Sequence, residues 1–184
     1  MTAVVSLTVD LKDGSSVKFG IAGPGGLVGC FIFFSSPIAY GNAVVQCSGA
    51  LYRVPAEIAL AQFHASTVFR QSVTDYMHFL LAEAARNSSC YRYHSIEQQL
   101  CRTLLSYMDH QNSSSLSVTH ETLARALGVR REGVTLAAQR LRSLGFIEYS
   151  RGQVEILSPL GLRKHSCECY QALRNLAPSF VYRN

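Results

Sequence analysis

Residues 119–144 read THETLARALGVRREGVTLAAQRLRSL, and this stretch decides the fold. Leu123, Ala124 and Leu127 have the spacing of one helix face, and Gly128 follows where a tight turn needs positive φ. Ala124 is small enough for two helices to cross closely. An apolar seam continues into a second helix at Val129, Val134, Ala137 and Leu141. The pattern predicts a helix-turn-helix.

The basic charge of the chain lies in the same region. Residues 1–118 hold seven basic and seven acidic residues, whereas residues 119–184 hold ten basic and five acidic ones. A basic excess confined to a helix-turn-helix segment is typical of contact with nucleic acid phosphates. An ordinary solvated basic surface is the alternative. Together with the helix-turn-helix pattern, the charge favours binding to double-stranded DNA.

The flanking residues extend this motif into a winged helix-turn-helix. Ser95 to Gln98 is a capping-box pattern that opens a helix before the motif. After it, residues 145–149 and 154–157 read as two strands joined by a tight turn at Ser150 to Gln153. Ser158-Pro159 then predicts the start of one last helix that runs to about Leu173.

The N-terminal third is predicted to be a small β-domain with an open edge. Its expected strands are Ala3–Val9, Val17–Ile21, Cys30–Phe34, Ala43–Cys47 and Ala50–Val54. Pro55 begins a short helix, and Ser66 can cap a long helix that runs to about Asn87.

The long helix carries a wide apolar stripe. Its members, spaced by three or four residues for the most part, are Phe69, Val73, Tyr76, Met77, Leu80 and Ala84. A stripe of this width can pack on the β-domain and also on a partner helix, so we expect these residues to form a homodimer interface. An intramolecular core helix is the alternative.

Composition argues against export and membrane insertion. The longest apolar run, Leu27 to Phe34, is too short to span a bilayer, and the N-terminus has no signal-peptide pattern. We therefore expect a cytoplasmic protein whose six cysteines are reduced. No catalytic constellation is visible, so an enzyme is not expected.

The segments HSIEQQLCR, LGVRREGVTLAA, YSRGQVEIL and CECY resemble those of Crp/Fnr bacterial transcription regulators. The resemblance implies an α+β fold: a partial cyclic-nucleotide-binding-like β-roll (1–65), a long dimerisation helix (66–94) and a C-terminal winged helix-turn-helix (95–184). It also implies a homodimer that regulates transcription at an inverted DNA repeat, with RNA polymerase as a possible further partner.

The chain departs from the family in two ways. It starts inside the β-roll, as a short form, a misplaced start or a fragment would. The region from Gly26 to Ala43 also lacks the Gly-Glu pair and the arginine that the family uses to hold a cyclic nucleotide. Burying a phosphate without a cation is costly. We therefore expect no cyclic-nucleotide dependence and no cofactor, and the effector stays unknown. Repression is the more cautious expectation, although the sequence leaves the sign open.

The resemblance assigns DNA-reading roles to the second helix. Arg131 and Glu132 match the family's base-reading pair, and Thr135 is added as a base-reading candidate. A phosphate contact is the alternative for Arg131, and a favourable helix N-terminal charge for Glu132. Leu136 replaces a further base-reading arginine of the family. Backbone contacts are expected from Thr119, Arg130, Gln139, Arg140 and Arg151.

Four cysteines leave a second hypothesis open. On a continuous helix, Cys167 and Cys169 point about 200° apart and cannot share an ion unless the helix unwinds. We therefore expect no metal site. A thiol- or metal-responsive switch is kept as the alternative, with Cys90, Cys101, Cys167 and Cys169 as its candidates. A truncated dimerisation module without competent DNA binding is another.

Overall fold

The computed structural model describes residues 2–34 and 38–181. The strands are β1 (Val4–Asp10), β2 (Ser16–Ala22), β3 (Asn42–Cys47), β4 (Ser115–Ser117), β5 (Ile147–Ser150) and β6 (Gln153–Ile156). The helices are α1 (Ala56–Ala65), α2 (Thr67–Tyr93), α3 (Ile96–Gln111), α4 (His120–Leu127), α5 (Arg131–Ser143), α6 (Pro159–His165) and α7 (Cys169–Leu176). None of the helices described is both long and apolar enough to cross a bilayer.

The N-terminal sheet is antiparallel, with the strand order β2-β1-β3. Val5 pairs with Ala22 of β2 and with Val45 of β3, so β1 is the central strand. The turn between β1 and β2 places Gly14 at φ 82°, as the turn signal in the sequence predicts. The predicted strands at Ala3–Val9, Val17–Ile21 and Ala43–Cys47 are confirmed.

Two other predicted strands are wrong. Cys30–Phe34 forms a 3₁₀ helix, because the chain reverses at Gly29 (φ 86°) and Cys30 packs inward on the long helix. Ala50–Val54 is exposed and has no ladder, although the Thr2 amide donates one hydrogen bond to the Ala50 carbonyl (3.1 Å). Both segments are short and rich in apolar residues, which indicated strands, but neither segment gains a neighbouring strand in the described structure.

Helix α2 is the longest element and passes from the sheet to the C-terminal half. Ser66 caps it as predicted, its hydroxyl accepting from the Phe69 amide at 3.2 Å. The helix ends at Tyr93 rather than near Asn87, because Asn87 and Cys90 continue its buried face.

The winged helix-turn-helix is built as the sequence predicts, with one added strand. Ser95 and Gln98 form the capping box of α3. The wing hairpin turns at Arg151 (φ 47°) and Gly152 (φ 79°), two consecutive positive-φ residues that suit a tight hairpin. The sequence analysis missed β4, which pairs with β6 to give the order β4-β6-β5.

The predicted last helix is two helices. Ser158 caps α6 and Pro159 occupies its first turn, as expected. The helix then ends at His165, because Ser166 is extended (φ −73°, ψ 161°), and α7 begins at Cys169. The expectation of one continuous helix to Leu173 is therefore wrong, and the break changes the directions of Cys167 and Cys169.

The two halves share one apolar core. Val4, Ile21 and Cys47 of the sheet belong to the same buried cluster as the helices α3, α4 and α5. The Tyr91 hydroxyl of α2 lies 2.9 Å from the Lys18 carbonyl oxygen and 3.2 Å from that of Ala126. These contacts fix the helix-turn-helix against β2 and α2.

Candidate DNA interface and cysteine cluster

Helix α5 presents a polar face at its start and an apolar face to the core. Arg131 and Glu132 are exposed in its first turn, and Leu136 (67% exposed) lies one turn further along. The opposite face is buried by Val134, Ala137, Ala138 and Leu141. The 3.6-residue period therefore orients the predicted reading residues away from the core.

The start of α4 and the tip of the wing lie side by side. Thr119 caps α4 as predicted, since its hydroxyl accepts from the Thr122 amide at 3.0 Å. The Val118 amide donates to the Gly152 carbonyl at 2.9 Å, which brings the hairpin turn next to this cap. Arg151 is exposed at that turn. A helix N-terminus and an arginine thus share one surface.

Thr135 is engaged within the protein. Its hydroxyl donates to the Arg131 carbonyl (3.0 Å) and lies 3.1 Å from Nδ1 of His120. Because the threonine proton is already used, Nδ1 of His120 acts as the donor. This leaves the Thr135 methyl group as the part that could meet a base.

His120 was missed by the sequence analysis and ties three elements together. Its ring stacks on Tyr149 of β5, with centroids 4.1 Å apart and planes 21° apart. Burial, with a smaller contribution from the positive charge of Arg131, lowers the pKa of His120. The neutral ring therefore holds α4, α5 and the wing in one arrangement. The signal in the sequence that could have indicated this role is the position of His120, which directly follows the helix cap Thr119.

The residues predicted to contact the DNA backbone differ in whether they already have a partner within the protein. Arg130 and Gln139 are exposed, whereas Nε of Arg140 pairs with Oε2 of Glu97 at 3.2 Å. Glu97 also contacts Nε2 of His165. Arg140 thus links α5 to α3 and α6 in the free protein.

The predicted dimerisation stripe lies largely inside the chain. Val73, Tyr76 and Leu80 are buried, and Phe69, Met77 and Ala84 are half-buried. Tyr76 and Leu80 pack with Leu7 of the sheet. The alternative noted above, a core helix, describes this face of α2.

The opposite face of α2 is open. Thr74, His78, Leu81, Ala85 and Ser88 are all exposed, at alternating spacings of four and three residues. Leu81 is 70% exposed. It borders an apolar cavity of about 460 Å³ that is also lined by Phe31 and Phe34.

A second cavity is lined in part by residues of the segment from Gly26 to Ala43. It measures about 560 Å³, and among its described lining residues Arg53 is the one with a charged side chain. Gly26 and Gly29 line it together with apolar side chains. No carboxylate is present among those residues to hold a ribose.

Four residues from distant parts of the sequence meet in a second cluster. Cys90 and His94 lie one turn apart at the end of α2, and Cys167 and Cys169 flank the break between α6 and α7. One ligand atom from each lies within 4.8 Å of all the others. Cys101 and His165 are not in the cluster.

The cluster is buried and electrostatically unusual. The three thiols are at most 4% exposed. A hydrogen bond from the Cys90 thiol is the largest cause that lowers the pKa of Cys167 to about 5, and the same bond raises the pKa of Cys90. Arg102, itself buried, interacts with these sulfurs, while its Nη1 donates to Asn87 at 2.6 Å. A buried anion at Cys167 is thus favoured.

The comparisons with known proteins agree with this geometry. Residues 98–165 match the Crp-like helix-turn-helix domain. The matching segment, residues 98–165, is named the Crp-like domain. The match spans α3 to α6 and includes the exposed start of α5, so the resemblance to the Crp/Fnr family is confirmed. Among curated proteins, none matches the chain.

Solved Crp/Fnr structures extend the likeness beyond the Crp-like domain. A CRP-family regulator of Thermus thermophilus superposes with a TM-score of 0.73 at 18% identity, over 89% of this chain and 83% of that one. A CRP/FNR-family regulator of the same organism gives 0.67 at 20% identity, over 91% and 84%. FixK2 of Bradyrhizobium japonicum gives 0.63 at 14% identity, over 90% and 84%. Identities this low show the fold, and they confirm the predicted α+β class.

Proposed function

We propose that this chain is a sequence-specific transcription regulator that binds an inverted DNA repeat as a homodimer, independently of cyclic nucleotides. The observation that carries the proposal is the Crp-like domain, whose α5 exposes Arg131 and Glu132 at its start. In this proposal, residues 1–65 form a partial β-roll, residues 66–94 form the dimerisation helix, and residues 95–184 form the DNA-binding domain.

The reading surface combines α5, the start of α4 and the wing. Arg131 can donate two hydrogen bonds to guanine O6 and N7, and Glu132 can accept from cytosine N4. Thr119 and Arg151 sit together beside α5 and are suited to the phosphate backbone. Arg130 and Gln139 flank the same face, whereas Arg140 would first have to leave Glu97.

The dimer is proposed to form through the open face of α2. The alternating spacing from Thr74 to Ser88 is that of a coiled-coil seam. The apolar cavity beside Leu81 would be closed by a second copy. Two parallel long helices would then present the recognition helices to half-sites about 34 Å apart, one turn of DNA.

The described residues that line the second cavity include no carboxylate for a ribose, which supports independence from cyclic nucleotides. The proposal takes repression as the sign of regulation and RNA polymerase as a further partner.

Selection from a random DNA pool tests the reading residues. The chain, Arg131→Ala and the control Arg53→Ala are compared, because Arg53 is an exposed arginine outside the winged domain. An inverted repeat is expected for the chain and the control. Arg131→Ala should lose preference at one base pair per half-site, which costs about 1–3 kcal/mol.

The salt dependence separates base reading from phosphate contact. If Arg131 contacts phosphate, its replacement weakens all sequences alike and reduces the salt slope by about one unit. That result would remove Arg131 as a reader. Enrichment of no motif at all would contradict sequence-specific regulation and favour the dimerisation module.

Sedimentation tests the dimer. Leu81→Asp should give a monomer, while Leu160→Asp, which changes a leucine of similar exposure on α6, should stay dimeric. A dimer that persists in Leu81→Asp would contradict the proposed seam.

A further inference from the structure

We propose that Cys90, His94, Cys167 and Cys169 form a zinc site that fastens the end of α2 to the turn between α6 and α7. The site would take one Zn²⁺ with three thiolate ligands and one imidazole ligand. It is independent of the DNA-binding proposal, because metal binding can be measured without DNA.

The distances between the donor atoms suit a tetrahedral ion. Sγ of Cys90 lies 3.6 Å from Sγ of Cys167, and Sγ of Cys169 lies 3.7 Å from Nδ1 of His94. Bonds of about 2.3 Å to sulfur and about 2.0 Å to nitrogen place tetrahedral ligands roughly 3.5–3.8 Å apart. These two pairs of atoms already have the spacing of tetrahedral ligands, and all four atoms lie within 4.8 Å of one another.

The ligand set selects the class of metal. Three thiolates and one imidazole in a closed, four-coordinate arrangement are typical of structural zinc. The site offers no fifth protein donor within this group and leaves no open position for a substrate. On binding, each ligand cysteine that still carries its thiol proton releases it to solvent, and His94 coordinates as the neutral ring.

His94 is oriented for this role by Glu168. Its Nε2 lies 3.3 Å from Oε2 of Glu168, so the proton sits on Nε2 and Nδ1 is free to face the sulfurs. A carboxylate on the far nitrogen is the usual partner of a metal-bound histidine. This contact is a second observation that points to a metal rather than to a cluster of idle thiols.

The buried charge next to the cluster also fits. Zn²⁺ with three thiolates carries a net charge of −1. Arg102 is buried nearby, and its Nε and Nη2 have no hydrogen-bond acceptor among the described residues. The anionic site would balance this guanidinium, which is otherwise costly to bury.

The position of the site gives it a structural consequence. Cys90 and His94 lie at the end of α2, immediately before the junction at Ser95 where α3 begins. Cys167 and Cys169 lie just beyond α6, at the end of the Crp-like domain. One ion would fix that domain to the long helix at this junction.

Metal content and cobalt spectra of the reduced full chain test the proposal. We expect one equivalent of zinc per chain after purification and dialysis. With Co²⁺ as the probe, we expect tetrahedral d–d bands and a thiolate-to-cobalt charge-transfer band, both lost when Zn²⁺ is added. Cys169→Ser and His94→Ala should lose stoichiometric metal, whereas Cys30→Ser, a buried cysteine outside the cluster, should keep it.

Glu168→Gln separates the roles of ligand and orienting residue. It should fold, since Glu168 is largely exposed, and should weaken zinc binding by about 10–100-fold. The cobalt spectrum of the unmodified chain decides the matter even if the cysteine variants do not fold. Absence of tetrahedral cobalt bands in the reduced chain would overturn the proposal, as would zinc retained by a folded Cys167→Ser/Cys169→Ser variant.

Discussion

Replacing Gly128 by alanine tests the turn of the helix-turn-helix and its contact with the N-terminal sheet. Gly128 adopts φ 65° and ψ 35°, a left-handed conformation. That conformation costs an L-residue about 1–2 kcal/mol, of which the stiffer unfolded chain of the alanine variant returns about 0.4–1 kcal/mol.

The added methyl group would also press on β2. A Cβ at Gly128 would lie 3.3 Å from Cγ2 and 3.4 Å from Cβ of Val17, so this side chain must shift by a few tenths of an ångström. With this contact included, we expect Gly128→Ala to be destabilised by about 1–2 kcal/mol. For a chain of this length, Tm should fall by about 2–8 °C.

Thermal and urea unfolding followed by circular dichroism measures both contributions. Gly128→Asn should be less destabilised than the alanine variant, because asparagine tolerates left-handed backbone. The double variant Gly128→Ala/Val17→Ala should be more stable than the sum of its single changes by about 0.5 kcal/mol or more. An unchanged Tm in Gly128→Ala would refute the positive φ, and strict additivity would refute the contact with β2.

Three further changes probe other parts of the structure. Burial, aided by the charge of Lys18, lowers the pKa of His110 to about 4. In the unfolded chain the imidazole of His110 takes up a proton near pH 6.5, whereas in the folded chain it does so only near pH 4. The free energy of unfolding should therefore fall by up to about 3 kcal/mol between pH 6.5 and 4. In acid titrations, His110→Asn should flatten that decline. Ser95→Ala removes the capping box of α3 and should cost about 1 kcal/mol in urea unfolding, whereas the exposed control Ser48→Ala should cost less than about 0.5 kcal/mol. If zinc is bound and present at a thousandfold excess over Kd, it contributes about 4 kcal/mol, so chelation should lower Tm by about 8–16 °C in a thermal scan.

The winged domain was predictable because its signals are local. The caps at Ser95, Thr119 and Ser158 and the positive φ at Gly128 each depend on neighbouring residues, and the structure has all four. The 3.6-residue period alone assigned the buried face of α5.

The sequence-based predictions were wrong where the conformation of a segment, or what covers it, depends on contacts with residues far away in the sequence. Cys30–Phe34 is a short apolar run that suits a strand, but it forms a 3₁₀ helix whose Cys30 packs on α2. The apolar stripe of α2 suits packing either on a partner helix or on the β-sheet of the same chain. In the structure, most of the stripe packs within the chain, where Tyr76 and Leu80 contact Leu7. Sequence periodicity identifies an apolar face without naming what covers it.

The sequence by itself determined the winged helix-turn-helix of the C-terminal half and which side of α5 faces outward, because helix caps, turns and periodicity act within a few residues. Only the tertiary structure decided the cysteine cluster. Cys90 and Cys167 are 77 residues apart, and they meet because α2 extends past Asn87 while the last helix breaks at Ser166. Each of those changes follows from packing between distant elements, which no local pattern records.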